Sequence, residues 1–128
     1  MDNIIIEPSQ KTPTINFNSS TGVLEIAGRS IPENSVEFYR PILDWLDTYN
    51  ASPAAKTEFV FKLEYFNTSS SKCILDIFRK LETVAKSGFE ITIKWFYDED
   101  DEDMQESGED FQEIIKIPFE MIEIKDED

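Results

Sequence analysis

Apolar residues recur along this chain with two different periods. In TEFVFKLEYF, Thr57–Phe66, they alternate: Phe59, Phe61, Leu63 and Tyr65 share one face, and Val60 and Phe66 fall on the other. A period of two predicts a strand, and apolar residues on both sides predict one partly buried on both faces. Immediately afterwards the period lengthens. Ile74, Ile77 or Phe78, Leu81 and Val84 or Ala85 recur at helical spacing, and Gly88 is placed as the C-terminal cap. FEITIKWFY, Phe89–Tyr97, predicts another strand. Upstream, Val36, Tyr39, Ile42 or Leu43, Leu46 and Tyr49 predict an earlier amphipathic helix, with Asn34 as N-cap and Glu37 completing an Asn-x-x-Glu variant of the capping box. Pro41 lies inside that pattern and removes a backbone donor. A kink is expected there, or a loose first turn with the regular helix beginning near Arg40.

The ends of the chain add shorter elements. A strand in NIII, a Pro-bounded turn and a strand at Thr14–Asn18 lead into NSSTG, which has turn chemistry, and then VLEIAG. That is a hairpin pattern. Gly28–Pro32 reads as a connector, and NASPAAK closes the first helix. The acidic run DEDDEDMQESGED, Asp98–Asp110, reads as a solvated loop, followed by a short helix around Asp110–Ile115 and a last strand carrying Phe119, Met121 or Ile122, and Ile124. Strand and helix alternate through the second half, which predicts parallel neighbours in a sheet covered by helices. The expected fold is α/β: one domain over residues 1–128, with a mixed sheet of about five or six strands, two main helices and a short third helix.

Composition narrows the function. With 128 residues, 40% of them hydrophobic and ten of them Phe, the chain can build a core. Its formal charge of -15 and lack of His argue against nucleic acid and anionic membrane surfaces, and favour a protein partner with a basic face. Cys73 is the only cysteine, so no internal disulfide and no cysteine-based metal site is expected. The N-terminus lacks the basic and apolar regions of a signal peptide, and no apolar stretch approaches the ~20 residues of a membrane span, so a cytoplasmic location is expected.

The candidate chemistry centres on NTSSSK, Asn67–Lys72, where the strand stops and the helix begins. One hydroxyl, from Ser69 or Ser70, is enough to cap a helix. Two or three of the four hydroxyls are then left over, and two readings stay open. The ordinary one is capping alone. The other is phosphorylation, because a phosphate at a helix N-terminus meets free N–H groups and the positive end of the helix dipole. Cys73 and Arg79 match Cys-x5-Arg, the spacing of a tyrosine-phosphatase loop, but the intervening residues are apolar at helical spacing, without glycine, and include Asp76. Core packing is the better account of Cys73. The acidic run resembles a calcium loop only in charge, since Asp103 stands where the turn glycine is needed. Trp45 lies off the buried stripe of its helix and is a possible interface anchor. No catalytic constellation, metal site or cofactor motif emerges.

IIIEPSQKTPTINFN, ENSVEFYRPILDWLDTY and above all FKLEYFNTSSSKCILDIF are similar to the SiaC family of bacterial regulatory phosphoproteins, over Ile4 to Ile124. The resemblance implies a STAS-like fold, as in anti-anti-sigma factors, and a non-enzymatic partner switch. It implies Thr68 as phosphoacceptor, with Asn67, Ser69, Ser70, Ser71 and Lys72 shaping the loop and its partner contacts. The implied partners are a cognate Ser/Thr kinase, a metal-dependent Ser/Thr phosphatase, and a diguanylate cyclase or other output protein activated by the dephosphorylated form, which links the chain to cyclic-di-GMP and biofilm behaviour. The competing expectation is a constitutive acidic scaffold that binds through Asp98–Asp110 and has no phospho-switch.

Overall fold

The computed structural model describes residues 2–125. In chain order they form β1 (Ile4–Ile6), β2 (Thr14–Phe17), β3 (Val23–Ser30), α1 (Ser35–Ala51), β4 (Lys56–Phe66), α2 (Thr68–Lys86), β5 (Glu90–Asp98), α3 (Glu102–Ile114) and β6 (Phe119–Ile124). Among the described residues the strands make one six-stranded sheet in sequence order, β1 to β6. β1, β2 and β3 pair antiparallel, and β3 to β6 pair parallel. Each crossover steps one strand in the same direction, so right-handed connections place α1, α2 and α3 on one face of the sheet. Phe78 of α2 and Phe111 of α3 meet edge-on at 5.2 Å, and both lie against Trp95 of β5. This is a mixed α/β sheet with helices to one side, consistent with a STAS-like domain.

Among the described residues no helix covers the opposite face. It carries ion pairs between neighbouring strands: Glu25 with Lys62, Glu58 with Lys94, and Lys56 with Glu90. Lys62 also lies 4.9 Å from the Phe96 ring centroid. Such solvated pairs stabilise by at most about 1 kcal/mol each. Burial on both sides of β4 was the expectation from Val60 and Phe66. Val60 does face the charged side and is half-buried there, but Phe66 does not.

The reason is a bulge. Gly28 pairs with Leu63, and the next pair is Arg29 with Tyr65, so Glu64 is an extra residue in β4. The inserted residue reverses the side-chain alternation. Tyr65 therefore points away from the core and is 53% exposed, while Phe66 turns inward to an edge contact with Trp95 at 6.1 Å. The same irregularity lets β3 continue to Ser30, through residues the sequence reads as a connector. Gly28 adopts φ +108, a region open mainly to glycine.

α1 keeps its expected Asn34 cap but not the later start, and α3 departs from expectation. α1 starts at Ser35, with Asn34 Oδ1 accepting from the Glu37 N–H at 3.0 Å, and runs through Pro41 rather than beginning near Arg40. Pro41 and Glu37 are exposed, so water can satisfy the carbonyl that the proline leaves without a donor. Most of the expected acidic loop is helix α3. Asp101 Oδ1 accepts from the Met104 N–H at 3.0 Å, and Glu102 and Asp103 occupy the first turn, where the dipole favours carboxylates. Its buried line is Met104, Gly108, Phe111 and, just past the helix end, Ile115. Gly108 permits close approach: a Cβ there would lie 2.6 Å from the Trp95 indole and 2.7 Å from Met121. Glu82 fastens α2 to the segment after α3, accepting from Arg79 and from the Lys116 N–H, both at 2.8 Å. Burial pushes its carboxyl up, but those two bonds and the nearby cations outweigh it and hold the group below the usual carboxylate range.

Candidate functional site at the start of α2

The site lies at the C-terminal ends of β3 and β4. The Glu64 bulge brings Ser30 opposite Phe66, and the Asn67 N–H then donates to the Ser30 carbonyl at 3.0 Å. β3 and β4 are parallel neighbours, so the helices that follow them start side by side. Ser35, first in α1, lies 2.7 Å from Ser69 in the first turn of α2, hydroxyl to hydroxyl.

Asn67 is the cap of α2. Its Oδ1 accepts from the Ser70 N–H at 2.9 Å, a role the sequence assigns to Ser69 or Ser70. Capping therefore uses none of the hydroxyls from Thr68 to Ser71, and their four environments differ. Ser70 is fully buried. Its hydroxyl donates to the Ser30 carbonyl at 3.1 Å and accepts from the Ser30 hydroxyl at 2.8 Å. Ser30 has only one proton to give, so Tyr39 donates the 2.6 Å bond that joins their hydroxyls. Ser69 is exposed as a residue, but its hydroxyl turns toward α1, meeting Ser35 and donating to Asn67 Oδ1 at 3.2 Å. Thr68 is exposed, and its hydroxyl makes no hydrogen bond among the described residues. Ser71 is half-buried, beside Phe66 and Phe111.

Electrostatics single out the same end of α2. Its first turn holds no acidic residue, whereas α1 has Glu37 and α3 has Glu102 and Asp103 in theirs. The Ser70 N–H is taken by the Asn67 side chain and the Ser71 N–H by the Asn67 carbonyl. The amides of Thr68 and Ser69 have no acceptor among the described residues. Lys72, exposed one turn on, is a cation at i+4 from Thr68.

Tyr39 ties the network to the core. Burial raises its hydroxyl to about 12, and the hydrogen bond with Ser30 offsets only part of that. Between pH 10 and about 12 the unfolded chain gives up this proton while the folded chain keeps it, so stability falls as pH rises through that window; below pH 10 the contribution is complete. Its full size is roughly 2–3 kcal/mol. Tyr39→Phe is expected to remove this component: urea unfolding from pH 9 to 11.5 should show a shallower alkaline loss than wild type, and parallel curves would place Tyr39 outside the linkage.

The remaining candidates resolve differently. Trp45 is half-buried rather than fully exposed. It stacks on Tyr49 at 5.0 Å, meets Phe17 edge-on at 5.3 Å, and donates from Nε1 to the Asp2 carbonyl at 2.9 Å, so it is half-buried under the N-terminal segment. Cys73 is buried, and burial followed by Asp76 pushes its thiol up, against the lowering by Lys72. That is the wrong direction for a nucleophile. Arg79 is engaged by Glu82. No group of side chains suited to a metal ion occurs among the described residues, and no described helix is long and apolar enough to cross a membrane.

Comparison with known proteins identifies the family. Residues 6–124 match the family described as SiaC family regulatory phosphoprotein. The chain belongs to the SiaC family. An uncharacterized protein of Pseudomonas aeruginosa (strain UCBPP-PA14) is 35% identical over 119 residues, covering 93% of this chain and 94% of that protein. The crystal structure of apo-SiaC from Pseudomonas aeruginosa superposes with a TM-score of 0.87 at 33% identity, covering 95% of this chain and 99% of that one. A chain from the crystal structure of the diguanylate cyclase SiaD in complex with its activator SiaC, also from Pseudomonas aeruginosa, superposes at 0.89 and 33% identity, covering 94% of this chain and 99% of that one. The family match thus spans β2 to β6, α1 to α3 and the segment Asn67–Lys72.

Proposed function

We propose that this SiaC-family chain is a partner switch controlled by reversible phosphorylation of Thr68. The unmodified form binds and activates an output protein, a diguanylate cyclase by analogy with the relative whose complex is known. The observation that carries the reading is the unengaged, exposed Thr68 hydroxyl beside the two unbonded amides that start α2. A phosphate there adds a charge of about -2 beside those amides and Lys72, so the fold accommodates it at modest cost. A partner packed over Thr68 has to bury that charge, which disfavours the complex. A Ser/Thr kinase adds the phosphate and a metal-dependent Ser/Thr phosphatase removes it. The chain works as one regulatory domain, and its chemistry is that of a phosphoacceptor and binding surface rather than a catalyst.

The outer side of α3 supports a second reading. Residues 98–113 hold ten Asp and Glu and no Lys or Arg, which suits constitutive docking to a basic surface. Peptide mass spectrometry on the chain purified from its own host separates the two. Tryptic cleavage leaves Thr68, Ser69, Ser70 and Ser71 together on Leu63–Lys72. A single phosphatase-sensitive phosphate on Thr68 is the expected result. A peptide that stays unmodified under growing, stationary and surface-attached conditions would remove the switch and leave the acidic helix.

A further inference from the structure

We propose that Ser69 is a second, gated phosphoacceptor, that the Ser35 hydroxyl is its gate, and that Ser70 is excluded from phosphorylation altogether. The proposal rests on the reading of this loop as a kinase substrate and extends it from one residue to the choice among four.

A protein kinase needs the acceptor oxygen free to approach the terminal phosphorus of a nucleoside triphosphate. In the transfer the Oγ–P bond forms, the bond from that phosphorus to the bridging oxygen breaks, the nucleoside diphosphate leaves, and the hydroxyl proton passes to a base on the kinase. Thr68 meets the requirement as it stands. Ser69 is also exposed as a residue, but its hydroxyl is held inward by two bonds, 2.7 Å to Ser35 and 3.2 Å to Asn67 Oδ1. The second is the weaker, because the same Oδ1 already accepts from the Ser70 N–H. Ser35 is 4% exposed and belongs to the first turn of α1, so it cannot follow Ser69 outward without moving the helix. Ser70 differs in kind. Its hydroxyl is fully buried, with Ser30 and Ser35 around it, and reaching it requires unwinding the start of α2.

Removing the Ser35 hydroxyl should leave α1 intact, since Asn34 and not Ser35 caps that helix. It should release Ser69. Loss of one neutral hydroxyl bond raises the outward-facing population about fivefold. The gate also links the two helix starts: anything that draws α1 away from α2 opens a second site beside the first.

The test uses the full chain expressed in its own host and the phosphate distribution on the peptide Leu63–Lys72. Four variants are compared with wild type: Ser35→Ala, Ser35→Thr, Thr68→Ala, and Thr68→Ala with Ser35→Ala. The expected results are phosphate on Thr68 in wild type, at least a fivefold higher Ser69 share in Ser35→Ala, return to the wild-type pattern in Ser35→Thr, almost none in Thr68→Ala, and recovery on Ser69 in the double variant. Thermal unfolding checks that each variant is folded, and Ser35→Gly takes the place of Ser35→Ala if the latter is not. Phosphate confined to Thr68 in folded Ser35→Ala, with the double variant unmodified, overturns the gate while leaving the Thr68 reading intact. An equal Ser69 share in wild type and Ser35→Ala, or phosphate on Ser70 in any folded variant, overturns it too. A wild-type peptide without phosphate overturns both.

Discussion

Trp95→Ala is expected to lower the unfolding free energy by about 3–5 kcal/mol, measured by urea denaturation at neutral pH. Trp95 is fully buried and stacks on Phe61 at 4.5 Å, with the planes 7° apart. Phe66, Phe78, Phe111 and Phe119 surround it with centroids 5.6 to 6.4 Å away. Its Nε1–H donates to the Met104 carbonyl at 3.0 Å, inside α3. The substitution removes the largest fully buried side chain and its hydrogen bond to the Met104 carbonyl, which adds to the loss. Folded domains are stable by only about 5–15 kcal/mol, so the variant should approach the threshold of folding. Trp95→Phe should recover most of the packing but not the bond, and should lie between the two. A loss below about 1 kcal/mol in Trp95→Ala would mean that α3 does not dock on this ring.

The largest functional effect is expected at Thr68. Thr68→Glu should weaken binding to the proposed diguanylate cyclase partner by about 100-fold or more, equivalent to about 2.7 kcal/mol, while Thr68→Ala should stay within about threefold of wild type. Isothermal titration with the purified cyclase reads both. The two measurements available for Thr68→Glu should move in opposite directions. A carboxylate in the first turn of α2, which has no acidic residue of its own, favours the helix dipole and should raise the melting temperature slightly. The same charge has to be buried, or displaced, when a partner covers the exposed Thr68 position. A variant that binds weakly and melts early would be a folding defect and not a switch. Wild-type affinity in Thr68→Glu would place the interface elsewhere, with the acidic outer side of α3 first in line.

How far the sequence speaks depends on the range of the interactions involved. Strand and helix periods are local, so β4, α2 and β5 could be read from residues a few positions apart, as could Asn34 and Gly88 at the helix ends. α3 was less legible. Its buried residues, Met104, Gly108 and Phe111, are few and lie within a dense run of Asp and Glu, so the charge obscured the spacing; the capping Asp101 and the acidic first turn were the signal available. Tyr65 and Phe66 exchanged faces because one inserted residue reverses a strand's alternation, and the insertion is visible only in the pairing of β4 with β3.

The hydroxyl cluster shows the same division at the site. NTSSSK on its own marks a helix start with more hydroxyls than capping requires, which leaves capping and phosphorylation both open. Those features are chemical and local, so the sequence by itself determined them, together with the alternation that makes the fold α/β and the surplus of acid that limits its partners. Which hydroxyl is free was decided only by the tertiary structure. Ser30 reaches Ser70, and Ser35 reaches Ser69, across 34 to 40 positions of chain, because parallel pairing of β3 with β4 sets the two helix starts side by side. A hydroxyl bond depends on a few tenths of an ångström and on direction, and only the packed fold supplies either.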